Sequence, residues 1–325
     1  MNKLVTIYGG SGFVGRYIAR RMAKEGWRVR VAVRRPNEAL FVKPYGTVGQ
    51  VEPILCNIRD DASVAQAMDG ADAVVNCVGI LNEAGKNRFD TVQHEGAERI
   101  ARLAAEAGIS TMVHLSAIGA DENSTSQYAR SKALGEAGVL EHMPTAMILR
   151  PSVIFGPEDD FFNRFAALTR LGPVLPVAGA DCKFQTVYVD DVAEAAVLGV
   201  LGKASGLYEL GGPEVHSMRE LLQEMLKTVQ RRRLILNLPF FAAWLVAFGL
   251  DLLQSITFGL FSNSVVTRDQ LRMLRHDNVV SDSAKGFADL GIQPTPIEGI
   301  LETYLWRFRP SGQYDAIKNS AKNLG

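Results

Sequence analysis

Tyr128 and Lys132 stand four residues apart, and Ser116 lies twelve residues before the tyrosine. These side chains can position and move a proton. On a helix, a spacing of four puts the tyrosine and the lysine on one face. An ammonium beside a phenol favours tyrosinate and draws its pKa down from about 10 toward working pH, while a serine can hydrogen-bond the reacting oxygen. Such a set would act as the general acid of hydride chemistry on a carbonyl. Tyr314 and Lys318 share the spacing, but in a polar tail with no strand before them. The apolar run ending at Ser116 therefore selects the first pair as the one beside a nicotinamide.

A second constellation would hold the hydride carrier. Gly9-Gly10-Ser11-Gly12-Phe13-Val14-Gly15 follows the apolar run Leu4 to Tyr8, with Gly9, Gly12 and Gly15 three apart. The first glycine permits a tight turn, the second lets a pyrophosphate approach bare backbone, and the third lets a helix pack closely on the strand. The helix N-terminus then offers open N–H groups and a partial positive charge to phosphate. A glycine cluster alone can be only a turn; its place between a strand and an amphipathic helix makes it a dinucleotide cradle. Where an NAD site sets an acid on the ribose 2′-hydroxyl, this chain has Arg34-Arg35. Guanidinium forks match a 2′-phosphate, so the expected cofactor is NADP(H), the alternative being a solvated surface pair. Asn57 and Asp60, after the third strand, are placed to reach the adenine, although Asp60 suits the N-cap of the next helix equally well. Val78-Gly79-Ile80, after the fourth, would line the ribose and nicotinamide side.

These residues need a scaffold. Strand-length apolar runs recur at Leu4 to Tyr8, Val29 to Val33, Val51 to Cys56, Ala73 to Val78, Met112 to Ser116 and Ala146 to Leu149. Val14, Ile18 and Met22 share a helix face between the first two, and helical patterns recur near Ala62 to Met68, Thr91 to Ala107 and Ser126 to Leu140. Such alternation predicts an α/β fold, a doubly wound parallel sheet of the Rossmann kind with helices on both faces. The expected organisation is a dinucleotide-binding domain over 1–155, to which 184–202 returns, a smaller and mainly helical region over 156–183 and 203–310, and a polar tail over 311–325.

The bulk composition narrows the partners. Lys plus Arg and Asp plus Glu each count 35, so the formal charge is zero and no overall field favours nucleic acid. Cys56, Cys77 and Cys182 form no C-x-x-C pair, which speaks against a disulfide framework and against zinc. His114 sits inside the fifth strand with no second ligand at metal spacing, and reads as a hydrogen-bonded structural residue. No metal is expected. The opening residues pass directly into an apolar run, so secretion and organelle import are not expected.

The residues above resemble the short-chain dehydrogenase/reductase superfamily in its extended, atypical branch, with its G-x-x-G-x-x-G loop and its Ser, Tyr and Lys. Arg150-Pro151-Ser152-Val153-Ile154-Phe155-Gly156-Pro157 is similar to that branch's segment beside the nicotinamide, which implies cofactor contacts at Pro151 and Val153. Val187-Tyr188-Val189-Asp190-Asp191-Val192-Ala193 is similar to its later strand-to-helix element. After Ser116 the chain runs Ala117-Ile118-Gly119-Ala120-Asp121, unlike the patterns of sugar-nucleotide epimerases and dehydratases. A narrower likeness lies in Phe161-Phe162-Asn163-Arg164-Phe165 and in Val266-Thr267-Arg268-Asp269-Gln270-Leu271 through Asp277-Asn278-Val279-Val280-Ser281. These resemble the dehydrogenase-like accessory subunits of respiratory complex I. That resemblance implies bound NADPH, a place where the hydrophilic and membrane arms meet, and a role in assembly or stability; for this chain it implies the cytoplasmic face of a bacterial inner membrane.

The segment Leu234 to Phe261 is unusually apolar and follows Arg231-Arg232-Arg233. Pro239, Asp251 and Gln254 spoil it as a spanning helix, so it is expected to lie in a membrane interface or dock on another subunit, or else to form a buried wall of a substrate pocket. With Asp251, Gln254 and Ser255 on one narrow face, an in-plane or docking helix is the better fit. Three functions remain open: the complex I accessory subunit, a free NADP-dependent reductase of a lipophilic carbonyl, and a sensor of the NADPH to NADP ratio.

Overall fold

A computed structural model describes residues 3–83, 85–256, 267–310 and 312–314. The end of the Leu234–Phe261 segment beyond 256, and the 311–325 tail apart from 312–314, lie outside the described residues.

The expected strands form as Leu4–Tyr8 (β1), Arg28–Val33 (β2), Val51–Leu55 (β3), Ala73–Asn76 (β4), Thr111–Leu115 (β5) and Met147–Pro151 (β6). Val174–Ala178 (β7) lies apart from them, and Gly206–Leu210 (β8) returns beside β6. The resulting seven-stranded sheet is parallel throughout, in the order β8-β6-β5-β4-β1-β2-β3. β1 is buried on both faces, as a strand covered by helices on each side must be. Its two polar groups are satisfied within: Thr6 Oγ1 donates to the Ala67 carbonyl at 2.9 Å and Tyr8 Oη to that of Val64 at 2.7 Å.

The helices are Phe13–Lys24 (α1), Asp61–Met68 (α2), Glu95–Glu106 (α3), Gln127–His142 (α4), Phe162–Leu168 (α5), Val189–Val200 (α6), Met218–Thr228 (α7), Phe240–Ile256 (α8), Arg268–Met273 (α9) and Ile300–Leu305 (α10). α1 and α6 bury Val14, Ile18, Val192 and Ala196 against Val5, Ile7 and Val75 on one sheet face. α2, α3 and α4 bury Val64, Met68, Ile100 and Val139 against Val74, Met112 and Ile148 on the other. A second core, with Phe155, Phe162, Leu175, Leu222, Met225 and Leu305, holds α5, α7 and α10 together. β7 pairs in parallel with Leu234–Leu238 (β9), and α8 seats Ala243 and Ala247 beside Ala178, Leu238 and Leu271.

Two features depart from the sequence pattern. The stretch 203–310, expected to lie wholly in the smaller region, gives β8 to the main sheet, with Tyr208 opposite Leu149. Its short run, Gly-Leu-Tyr-Glu-Leu, carries a buried charge at Glu209 that breaks the apolar pattern, and Arg150 of β6 answers that charge at 3.8 Å. The helix expected over Thr91 to Ala107 opens with a π turn, Asp90–His94, before α3 begins.

That turn is clamped by α4. A Cβ built on Gly135 would lie 2.3 Å from the Gln93 carbonyl oxygen. Gly to Ala inside a helix ordinarily stabilises by about 0.5–1 kcal/mol, but backbone cannot yield here as a side chain can. Gly135→Ala is therefore expected to destabilise the fold by about 1–3 kcal/mol, read from the urea midpoint; a midpoint at or above that of the parent chain contradicts the close packing.

Candidate functional site

Strand order reverses between β1 and β4, whose chains leave the sheet toward helices on opposite faces, α1 and α3. This opens a crevice at the carboxyl edge, the place where such sheets take a ligand.

The glycine loop forms one wall. Gly9 turns the chain at φ +75°, its N–H bonded to the Ala32 carbonyl at 3.0 Å, and the Gly12 N–H returns to the Gly9 carbonyl at 2.9 Å. A Cβ on Gly15 would sit 2.5 Å from Gly9 O, one on Gly12 would sit 3.0 Å from the same atom, and one on Gly10 would sit 3.0 Å from Ile7 O. The close approach of helix to turn thus requires the glycines, Gly15 above all. Ser11 and Phe13 complete the rim, and Val14 turns into the core. α1 has no acid in its first turn and no side-chain cap, which leaves its leading N–H groups for an anion. Arg16, which sequence reasoning passed over, braces this loop through hydrogen bonds to the carbonyls of Ser11 at 3.1 Å and Gly12 at 3.2 Å, and pairs with Glu158 at 3.3 Å. Its signal was its place directly after Gly15.

Arg34 and Arg35 follow β2 and are exposed. Arg34 makes no hydrogen bond or ion pair among the described residues, whereas Arg35 reaches Glu38 at 3.1 Å in an exposed pair of little worth. No carboxylate at the end of β2 faces a ribose. After β3, Asn57 Oδ1 accepts the Arg59 N–H at 3.2 Å, and Asp60 caps α2 by accepting the Ser63 N–H at 2.8 Å. The cap is thus a role the structure gives Asp60. After β4, Asn76 Oδ1 accepts the Val78 N–H at 3.0 Å, which sets the Val78-Gly79 turn, and Val78 packs toward Gly9. At the end of β6, Ile118 donates its N–H to the Pro151 carbonyl at 3.0 Å, and Val153 donates to Asn278 Oδ1 at 3.2 Å.

Tyr128 and Lys132 share one face of α4, with Lys132 Nζ 6.0 Å from the phenol ring centroid. Lys132 is buried, donates to the Leu115 carbonyl at 3.1 Å, and lies 3.5 Å from where a Gly79 Cβ would be. Burial draws its ammonium down to about 8, with Glu136 and Cys77 opposing. Burial also pushes the Tyr128 phenol up to about 12, the reverse of the expected fall. In this enclosed site desolvation outweighs an ammonium that is not in hydrogen-bond reach.

Ser116 departs from expectation as well. Its hydroxyl donates to Glu136, and a hydroxyl has one proton to give. Ser116 can still accept a hydrogen bond, but its one donor goes to Glu136 and not to the reacting oxygen. Glu136 is itself buried and forked by Arg150, through Nε at 2.9 Å and Nη2 at 2.6 Å. Sequence reasoning missed it, although Tyr128, Lys132 and Glu136 repeat at intervals of four on one helix face. His114 is buried against Asn76 at 3.1 Å, and burial followed by Lys132 holds its pKa down at about 3, so it stays neutral. Burial likewise pushes the Cys77 thiol up to about 12.

A lysine whose pKa falls from 10.5 unfolded to about 8 folded costs stability below pH 8, and that cost is relieved as pH rises from there toward 10.5. The parent chain should accordingly gain stability relative to Lys132→Met between about pH 8 and 10, as followed by urea midpoints at each pH. Parallel profiles for the two proteins would rule out a buried, depressed ammonium.

The geometry agrees with known relatives. The model of the NAD dependent epimerase/dehydratase family matches residues 5–211. NADH dehydrogenase (ubiquinone) 1 alpha subcomplex subunit 9, mitochondrial, of Arabidopsis thaliana is 34% identical over 316 residues, which span 95% of this chain and 79% of that protein. Ceramide reductase of Caulobacter vibrioides is 32% identical over 207 residues, 64% of each chain. The crystal structure of gox2253 superposes with a TM-score of 0.72 at 23% identity, covering 96% of this chain and 99% of that one, a likeness of fold. From the glycine cradle to β8, and in sequence beyond it, this chain belongs to the NAD dependent epimerase/dehydratase family, in the group that includes subunit 9 of the NADH dehydrogenase 1 alpha subcomplex.

Proposed function

We propose that the chain binds NADPH and serves as an accessory subunit of respiratory complex I, with a structural role where the hydrophilic and membrane arms meet. The observation that carries this reading is the alignment with the Arabidopsis subunit over 95% of the chain, which runs through the C-terminal region and not only the nucleotide domain. The residues fit the nucleotide. Gly10, Gly12 and the open start of α1 would hold the pyrophosphate, Arg34 and Arg35 the 2′-phosphate, and Gly79, Tyr128, Lys132, Pro151 and Val153 the nicotinamide end. When bound, NADPH supplies a hydride; nothing in the proposed role requires its transfer. The Ser116 hydroxyl, which donates to Glu136 and not toward the crevice, favours retention over turnover.

The proposed docking surface lies on the C-terminal region. α8 buries small alanines and turns Phe241, Trp244, Leu245, Val246 and Phe248 to solvent, and Phe240, Phe241, Trp244 and Leu245 line an open surface hollow with Arg275. Among the described residues, no helix is long and apolar enough to cross a membrane. On the β7–β9 ribbon, Val174 lies opposite Leu234 and Pro176 opposite Leu236, all four exposed. Arg170, Arg231 and Arg233 stand beside this ribbon, bonded to the carbonyls of Arg307, Phe308 and Thr169, with no carboxylate partner among the described residues. Apolar side chains bordered by uncompensated arginines suit a peripheral seat on an anionic membrane surface beside other subunits.

A second reading is a reductase of a lipophilic carbonyl, favoured by the likeness to a ceramide reductase and by Tyr128 and Lys132. Titrations separate the cases. NADPH should bind more tightly than NADH; Arg34→Ala with Arg35→Ala should weaken NADPH about tenfold and leave NADH nearly unchanged. Tyr128→Phe should leave NADPH affinity within about twofold. In native gels of solubilised membranes the chain should migrate with a large complex. Tighter NADH binding overturns the phosphate assignment, and a solitary chain with carbonyl reductase activity that Tyr128→Phe abolishes overturns the structural role.

A further inference from the structure

The polar segment that begins at Thr267 follows α8 and has no part in the cradle, yet its side chains bond to each wall of the crevice. Asp269 reaches the start of α4. One of its carboxylate oxygens accepts the Gln127 N–H at 2.8 Å, and the other accepts the Tyr128 N–H at 3.1 Å and the Ser126 hydroxyl at 2.7 Å. Ser126 in turn accepts the Ala129 N–H at 3.3 Å. The first-turn amides of α4 are thereby satisfied, and the carboxylate stands at the positive end of a helix whose own first turn holds no acid. Gln270 donates to Asn82 at 3.3 Å, beyond the Val78-Gly79 turn, and Arg272 donates to the Thr125 carbonyl at 3.2 Å. Asn278 Oδ1 accepts from the Ser152 hydroxyl at 2.6 Å and the Val153 N–H. Ser281 donates its N–H to Glu209 at 2.8 Å, joining the network of Arg150 and Glu136 beneath Ser116.

The same segment grips α8. Arg268 pairs with Asp251 at 2.8 Å and lies over the Phe248 ring at 5.5 Å, while Leu271 packs among Ala243 and Ala247. A short helix thus bonds on one side to the backbone of Tyr128 and on the other to the element that carries the exposed aromatic face.

We propose that Asp269 is a positioning residue of the nucleotide site, supplied from the C-terminal region as the cap of the helix that bears Tyr128 and Lys132, and that through it nucleotide binding and the state of α8 are energetically linked. The inference rests on the NADPH reading above. Linkage is reciprocal: nucleotide that favours the capped start of α4 also favours a seated α9 and α8, and a partner that seats α8 tightens nucleotide binding by the same factor.

The test uses the full chain, titration with NADPH, and hydrogen exchange of the peptides covering 125–132 and 240–250. In the parent chain NADPH should slow exchange in both peptides. Asp269→Ala should weaken NADPH about three- to tenfold and abolish the response of 240–250, while Asp269→Asn, which keeps one acceptor oxygen, should fall between the two. Should Asp269→Ala fail to fold, Asp269→Asn and Gln270→Ala carry the comparison, each expected to reduce the 240–250 response. NADPH that binds the parent but leaves 240–250 unchanged overturns the linkage and spares the cofactor assignment. An unaltered NADPH affinity in a folded Asp269→Ala chain overturns the positioning role. A parent chain with no NADPH affinity removes both this inference and the reading beneath it.

Discussion

The ion pair between buried Glu136 and half-buried Arg150 is the interaction on which the site depends. A carboxylate at 5% exposure is costly without a partner to compensate it. Arg150 forks it, Ser116 donates a hydrogen bond to it, and Glu209 on β8 balances the arginine from the far side. One network therefore joins α4 to β5, β6 and β8 directly beneath the crevice. It also fixes the chemistry above. Glu136 opposes the loss of charge at Lys132 one helical turn away, and it takes from Ser116 the hydrogen bond a reacting oxygen would need.

Most of the fold was legible because the parallel sheet is covered on both faces. Its first six strands are apolar runs, and Val14, Ile18 and Met22 mark α1 without ambiguity. β8 was not legible, since Gly206 to Leu210 is brief and carries Glu209, an acid that belongs inside only because Arg150 lies on the neighbouring strand. A pairing between strands some sixty residues apart leaves no periodic trace. The π turn at Asp90–His94 was hidden for a related reason: Gly135, far along the chain, dictates how closely α4 meets it.

The site divides along the same line. The glycine cradle and the Tyr128–Lys132 face follow from local geometry and could be read directly. Electrostatic outcomes could not, because burial decides them. Reading a lysine four residues from a tyrosine suggests an ionised phenol, whereas enclosure raises the phenol and lowers the lysine, each toward its neutral form. Asp60 shows the limit at its simplest: its side chain is a helix cap, a role that the bare sequence weighed equally against an adenine contact.

A fold can keep such a cradle without turning over a substrate, because a ligand that binds only the native chain is itself a source of stability. Free ligand at a hundred times its dissociation constant adds about 2.7 kcal/mol, comparable to the cost of several imperfect burials. Lys132 is one such burial, with the Leu115 carbonyl and the Glu136 carboxylate as its compensation. On the NADPH reading, the nucleotide becomes part of the packing that joins α1, α4 and the carboxyl edge of the sheet. On that reading Gly9, Gly12, Gly15 and Lys132 serve as binding surface whether or not a substrate is turned over. The geometry of a reductase and the duty of a structural subunit are, on that reading, compatible in one site.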